Sequence, residues 1–227
     1  MNRLDRLFTP LLAGAHWRDR LGAVLGAFVG ILLTALICTR LTESREGALV
    51  LVASMGSSAV LLFAVPSSPL GQPWQVIGGN MASALSGAVA VQLFGHGALA
   101  AGTAVALGVL AMSVLRCLHP PGGGASLLPV VDAHGSAAQT FGFALFPVGF
   151  NALVLVGVAI LFHRFAGHSY PHRARAAVPG GVLRHEDIDA ALDEAGEAFD
   201  IGREDLRALL EAAERHARSR RQDGNRR

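Results

Sequence analysis

Arg116-Cys117-Leu118-His119-Pro120-Pro121-Gly122-Gly123-Gly124-Ala125-Ser126 lies between two long apolar runs, and its reading decides the fold. Proline removes a backbone donor and ends a helix, while consecutive glycines leave the chain free to turn. In water this would be an ordinary loop. Flanked by runs long enough to cross a bilayer, it predicts broken backbone at membrane depth, where only protein or a wet cavity can satisfy its polar groups. Broken helices of this kind often line transport sites.

Composition supports that setting. The 227 residues are 52% hydrophobic and only 16% charged. Between Leu21 and Phe162 the only charged side chains are Arg40, Glu43, Arg45, Glu46, Arg116 and Asp132. A soluble domain would distribute its charges, so the chain reads as a polytopic integral membrane protein. The net charge of +2 says little, because acids and bases crowd together into the tail. All 19 basic residues are arginine, which suits fixed anion contacts better than lysine does. Cys38 and Cys117 have neither redox nor zinc spacing and are expected to pack; no metal or other cofactor is expected. The first apolar run reads as an uncleaved anchor.

Leu21–Thr39, Val76–Phe94, Ala98–Leu115 and Phe141–Phe162 read as four long spans. Two further segments are interrupted or re-entrant: Ala48–Val65, broken by Ser54-Met55-Gly56-Ser57-Ser58, and the His-Pro-Pro run with Ala125–Val131. Arginines precede the first span and follow the last, placing both termini in the cytoplasm of an inner membrane. That requires an even number of crossings: four if both interrupted segments dip and return, six if both cross. Long, interrupted, long occurs twice, pointing to two structural repeats. Pro66-Ser67-Ser68-Pro69 with Pro73 predicts a rigid connector, Gly95-His96-Gly97 a turn with a solvated His96, and Pro147 a kink. Leu4, Leu7, Phe8, Leu11 and Leu12 ahead of Trp17 suit a short interfacial helix.

The expected fold class is all-α, a membrane helix bundle with a short cytoplasmic helical tail. Its parts are an N-terminal cytoplasmic or interfacial segment (1–20), a membrane domain (21–163), a basic linker (164–183) and a helical tail (184–227). Within the tail, His185–Ala198 and Arg203–Arg221 have amphipathic spacing. The linker arginines suit anionic lipid. No fold or aromatic platform accompanies the terminal arginines, so nucleic acid is not an expected partner.

Candidate binding residues follow from the broken segments. Gly122, Gly123 and Gly124 at the start of a short helix carrying Ser126 would aim bare amides and a positive helix end at an anion. Pro120 and Pro121 fix that turn, and Arg116 and His119 would add donors. The plain alternative is a surface turn with Arg116 snorkelling to the interface. Gly56, Ser57 and Ser58 would present hydroxyls and amides from the second break, or simply let helices pack. Asn80 and Asn151 lie within spans, where interhelical hydrogen bonding is the default and substrate contact the alternative; Asn80 is the one carried into the candidate site. Asp132 and His134 fall in a predicted loop.

Leu118-His119-Pro120-Pro121-Gly122-Gly123-Gly124-Ala125-Ser126 resembles the signature of the HPP family of integral membrane proteins. The resemblance extends to Ser54-Met55-Gly56-Ser57-Ser58-Ala59-Val60-Leu61-Leu62-Phe63 and to Pro66-Ser67-Ser68-Pro69-Leu70-Gly71-Gln72-Pro73-Trp74, covering about residues 18–165. It implies a four-span protein and, through some plant and cyanobacterial members, nitrite transport. Two departures stand out: an added glycine with Ser126 as the hydroxyl, and Asn80 where a histidine is common. Many bacterial members continue into paired CBS domains; this chain stops before such a module, so regulation by nucleotide is not expected.

The leading expectation is a transporter or channel for a small inorganic anion, nitrite being the resemblance's candidate, working as a homo-oligomer in the lipid bilayer. Its rival is a membrane-anchored interaction or regulatory module acting through the C-terminal helices. An enzyme is not expected: a serine hydrolase using Ser57 or Ser58 with His119 would lack a nucleophile motif.

Overall fold

The computed structural model describes residues 17–41, 51–131, 141–167, 169–173, 185–195 and 201–224, and every regular element among them is helical. In chain order these are α1 (Trp17–Leu41), α2 (Ser54–Ala64), α3 (Pro73–Phe94), α4 (Ala98–Val114), α5 (Gly122–Val131), α6 (Phe150–Ala166), α7 (His185–Ala195) and α8 (Arg203–Gly224). A distorted turn, Ala144–Gly149, leads into α6. The expected interfacial helix before Trp17, and Glu43, Asp132 and His134, lie outside the described residues.

Three helices are long and apolar enough to cross a membrane: Asp19–Arg40, Pro73–Phe94 and Ala144–Ala166. The fourth expected span, α4, is apolar throughout but only 17 residues long, about 25 Å at the usual helical rise. The two interrupted segments form short helices, α2 with 11 residues and α5 with 10. Each reaches about 15 Å, roughly half of a hydrocarbon core.

Local chemistry sets the boundaries. Pro73 opens α3, where its missing N–H is no loss. Gly95 ends α3 at φ 68°, a backbone angle that disfavours any side chain. Ser68 accepts from Leu70 N–H and stabilises the short turn Pro69–Gly71 in the expected connector. Phe146 is extended (φ −138°, ψ 123°) because the ring of Pro147 excludes the helical region from its predecessor, giving the expected kink.

The interior reverses the pattern of a soluble protein. Val24, Leu25, Phe28, Leu99, Leu110, Leu153 and Phe165 are exposed. Ala84, Ala88, Ala104, Ser58, Asn80, Ser83, His119, Ser126 and Asn151 are buried completely. Large apolar groups outside and small or polar ones inside suit a hydrocarbon solvent. Gly87 shows how close the packing is: a Cβ there would fall on the Ser126 carbonyl, so α3 and α5 meet backbone to backbone.

Contacts fix the direction of each helix. A Cβ added at Gly26 would meet Phe162, and at the other end Asn151 Nδ2 lies 3.3 Å from Cys38 Sγ, so α1 and α6 are antiparallel. Val52 N–H donates to Asn151 Oδ1 (3.1 Å), while the Leu62 carbonyl meets His163 Nε2 (2.8 Å); α2 therefore runs alongside α6. Asn151 is thus the interhelical hydrogen-bonding group that was expected. The connector then brings Gly71 to Tyr170, whose hydroxyl donates to its carbonyl (2.9 Å), and α3 starts back from that end. Trp74 Nε1 donates to the Leu115 carbonyl (3.1 Å), making α4 antiparallel to α3. Gly122 packs on Gly79 at the start of α5, and the Val130 carbonyl meets His96 Nδ1 (2.8 Å) at its end, so α5 runs with α3. His96 is exposed, but its ring is bonded rather than merely solvated.

Consecutive helices from α1 to α6 alternate in direction. The packing partners also pair up. α1 packs on α2 and α6, as α4 packs on α5 and α3. α2 touches α6 as α5 touches α3, while α2 meets α5 and α3 meets α6. Exchanging α1–α3 with α4–α6 leaves this pattern unchanged, and the odd number of alternating segments in each half turns the second half upside down relative to the first. Beyond the bundle, α7 and α8 pack together, with Arg203 Nη2 2.9 Å from Asp189 Oδ1.

Candidate functional site

The two short helices begin side by side and run apart. A Cβ on Gly124, in the first turn of α5, would lie 3.8 Å from Ser54 Cβ, the first residue of α2. From that junction α2 proceeds towards His163 and α5 towards His96. Helix starts carry partial positive charge, about half an elementary charge each. Two such ends therefore lie beside one another.

The start of α5 explains its sequence. Arg116 adopts φ 53° just past α4. Cys117 N–H donates to the Met112 carbonyl (2.9 Å) and Arg116 N–H to that of Ser113 (3.3 Å), the two bonds that close a helix through a left-handed residue. Arg116 is exposed at this turn. Left-handed backbone with an exposed side chain is the arrangement that the surface-turn alternative for Arg116 describes.

The expectation of bare glycine amides fails. Gly122, Gly123 and Gly124 N–H donate to the carbonyls of His119, Pro120 and Pro121 at 2.8, 3.0 and 3.0 Å. Pro120 and Pro121 have no N–H to orphan, so the double proline removes donors at the positions where a helix start leaves them unsatisfied. The first turn of α5 is self-contained. What it offers a solute is its dipole and its shape.

Around this turn lies a buried hydrogen-bond chain. Ser54 Oγ donates to Asn80 Oδ1 (3.1 Å), and Asn80 Nδ2 reaches the Val76 carbonyl (2.8 Å) and Ser58 Oγ (3.4 Å). Ser58 Oγ lies 2.8 Å from His119 Nε2 and 3.0 Å from the Ser54 carbonyl. His119 Nδ1 lies 2.9 Å from the Leu70 carbonyl. Four elements (α2, α3, the connector and the α4–α5 loop) are thereby pinned at one point. Gly79 makes room for it: a Cβ there would stand 2.6 Å from His119 Cβ.

Of the residues marked from sequence, Ser58, Asn80 and His119 are joined in this chain, and Pro121, Gly122 and Ser126 are buried as well. Gly56, Ser57, Pro120 and Gly124 are exposed and Gly123 half-buried, along the face where the two helices start. Ser57 and Ser126 turn their hydroxyls back onto the Ser54 and Gly123 carbonyls of their own helices (3.0 and 2.8 Å). Sequence reasoning placed Ser54 in the second break without a role of its own, and missed Gly79, the Leu70 carbonyl and Ser83. Ser83 is fully buried under Gly122, and its hydroxyl has no hydrogen-bond partner among the described residues. The Gly78-Gly79-Asn80 run was the available signal for Gly79.

A second strand of bonds leads outward. Gln72 Nε2 donates to the Ser68 carbonyl (2.8 Å) and its Oε1 accepts from His172 N–H (2.8 Å). The His172 ring pairs with Asp205 at the start of α8 (2.9 Å). Tyr170 holds the neighbouring Gly71 carbonyl; burial pushes its phenol above the ordinary range, so it stays a donor. The helical tail is thus tied to the connector whose Leu70 carbonyl holds His119.

Residues 13–171 match the family model described as "HPP, transmembrane region". The chain is 33% identical over 146 residues to a transmembrane protein of Dictyostelium discoideum, covering 63% of this chain and 46% of that one. It is 36% identical over 153 residues to another from the same organism, covering 65% and 53%. The chain thus spans about half the length of the curated relatives it matches. No solved structure matches it significantly. The chain belongs to the HPP family of transmembrane proteins.

Proposed function

We propose that this protein is a channel or transporter for a small inorganic anion, with nitrite the first candidate because some family members are associated with it. The carrying observation is the meeting of two oppositely directed helix starts at Ser54 and Gly124. No Asp or Glu occurs in α2, α3, α4 or α5 to oppose an anion there. Oriented dipoles replace hydration without reorganising. The alternating helix directions support six passes, with α2 and α5 each completed by an extended stretch. Arginines at the outer ends of α1 and α6 support cytoplasmic termini in an inner membrane. The exposed face at Gly56, Ser57 and Gly124 supports a second copy as a neighbour.

The test is anion flux into proteoliposomes containing the full chain, with nitrite, nitrate, formate and chloride compared. Gly124→Asp places a fixed negative charge at the junction while favouring a helix start, by about 0.3–1 kcal/mol. Flux should fall at least tenfold in this variant and stay near normal in Gly124→Asn. Equal flux in both removes the site. A regulatory role of the tail has its own support in the His172–Asp205 pair. Deleting residues 182–227 should then alter the rate without changing which anion passes.

A further inference from the structure

The hydrogen-bond geometry around His119 fixes where its protons lie. The Leu70 carbonyl can only accept, so Nδ1 carries a hydrogen in either charge state of the ring. Asn80 is oriented independently. Its Nδ2 must face the Val76 carbonyl, leaving Oδ1 to accept from Ser54 and an N–H directed at Ser58 Oγ. Ser58 then has one hydrogen and two acceptors within reach, His119 Nε2 and the Ser54 carbonyl.

With His119 neutral, Nε2 is a lone pair, and Ser58 must donate to it. When a proton from water binds Nε2, the ring becomes the donor and Ser58 turns its hydrogen to the Ser54 carbonyl. Both states satisfy every group in the chain, and they differ by rotation of a single hydroxyl. A buried polar network with two complete bonding patterns is a ready two-state element.

Surroundings decide what the added charge does. The elements packed on His119 are α2, α3, α4, α5 and the connector 65–72, and none of them contains Asp, Glu, Lys or Arg. On its own segment Cys117 is buried and Arg116 is exposed. Tyr170 sits one carbonyl away, on Gly71. Protonated His119 would be a cation beside two positive helix starts, without a counter-ion among the described residues.

We propose that His119 and Ser58 form a proton-responsive switch in which a solute anion at the Ser54–Gly124 junction and a proton on His119 favour each other's binding. The proposal rests on the anion reading above. Reciprocity requires that the anion raise the proton affinity of His119 by the same factor as the proton raises anion affinity, typically about 5- to 150-fold. One negative and one positive charge then enter together, and the site stays neutral overall.

The ring is read directly by nitrogen NMR of the full chain in lipid nanodiscs, with histidine labelled and His119 assigned by its loss in His119→Gln. At neutral pH and without added anion, the expected form carries hydrogen on Nδ1 and a lone pair on Nε2. Sodium nitrite should move the titration midpoint of His119 upward by about one pH unit, corresponding to a tenfold coupling. Ser58→Ala should shrink that movement while leaving the Nδ1–H form in place. Hydrogen on Nε2 in the neutral ring overturns the switch. So does a midpoint unmoved by nitrite, nitrate, formate and chloride. Flux with an unmoved midpoint rejects the switch alone, whereas a responsive midpoint without flux supports the switch and rejects transport.

Discussion

Gly79→Ala is the most informative single change, because one methyl group tests the whole centre. Its Cβ would lie 2.6 Å from His119 Cβ and 2.7 Å from the Cys117 carbonyl oxygen. Neither neighbour is the loose end of a flexible side chain. The His119 segment must retreat by about 1 Å to regain ordinary contact. Its bonds to Leu70 and Ser58, now 2.9 and 2.8 Å, would then stretch beyond the ~3.5 Å at which such bonds cease to count. Two buried bonds at about 1 kcal/mol each, with about 1 kcal/mol or more of overpacking, give a loss on the order of 3 kcal/mol. Better helix propensity offsets about 1 kcal/mol of that. The net loss of about 2 kcal/mol corresponds to a melting shift on the order of 5 °C. Gly102→Ala is the matched comparison, since its Cβ would enter open space on α4; there propensity acts alone and stability should rise. Thermal unfolding of the two purified variants in the same detergent reads the difference. If they melt together above the parent protein, the close approach of Gly79 to His119 is not what holds the centre.

Arg116→Gly relieves a left-handed residue, worth about 1–2 kcal/mol, against up to about 1 kcal/mol of added unfolded-state entropy. Melting should stay level or rise slightly and flux should persist; flux lost in Arg116→Gly but kept in Arg116→Lys would restore the arginine's charge to the mechanism. Ser83→Ala removes a buried hydroxyl that bonds nothing among the described residues, so stability should be unchanged or higher by up to about 1 kcal/mol. A loss larger than that in a thermal melt would reveal a partner or a bound solute beneath α5.

The membrane setting was legible because charge is missing over a long stretch, a property that needs no contacts to read. Turns were legible too: Gly95, Pro73 and Pro147 act through their own backbone limits, and each did so where expected. The amides of Gly122–Gly124 were misread for a related reason. Glycines advertise freedom, but the carbonyls that use it up stand three positions earlier, and whether they turn inward depends on the loop's path. The left-handed backbone of Arg116 was not legible, because nothing in its neighbours announces such a residue with a side chain. The partners of Asn80 and His119 lie on other helices, Ser54 and Ser58 on one and Leu70 at the end of another connection. Which way α2 and α5 run was equally hidden, being decided by Asn151, His163 and His96.

The self-closed first turn of α5 has a bearing on speed. A helix start that relied on a guest for its hydrogen bonds would grip that guest and resist its leaving. Here the prolines and the carbonyls behind them keep the backbone whole with or without company. Under the proposed anion reading, a visitor's arrival and departure would break none of the backbone hydrogen bonds that close this turn.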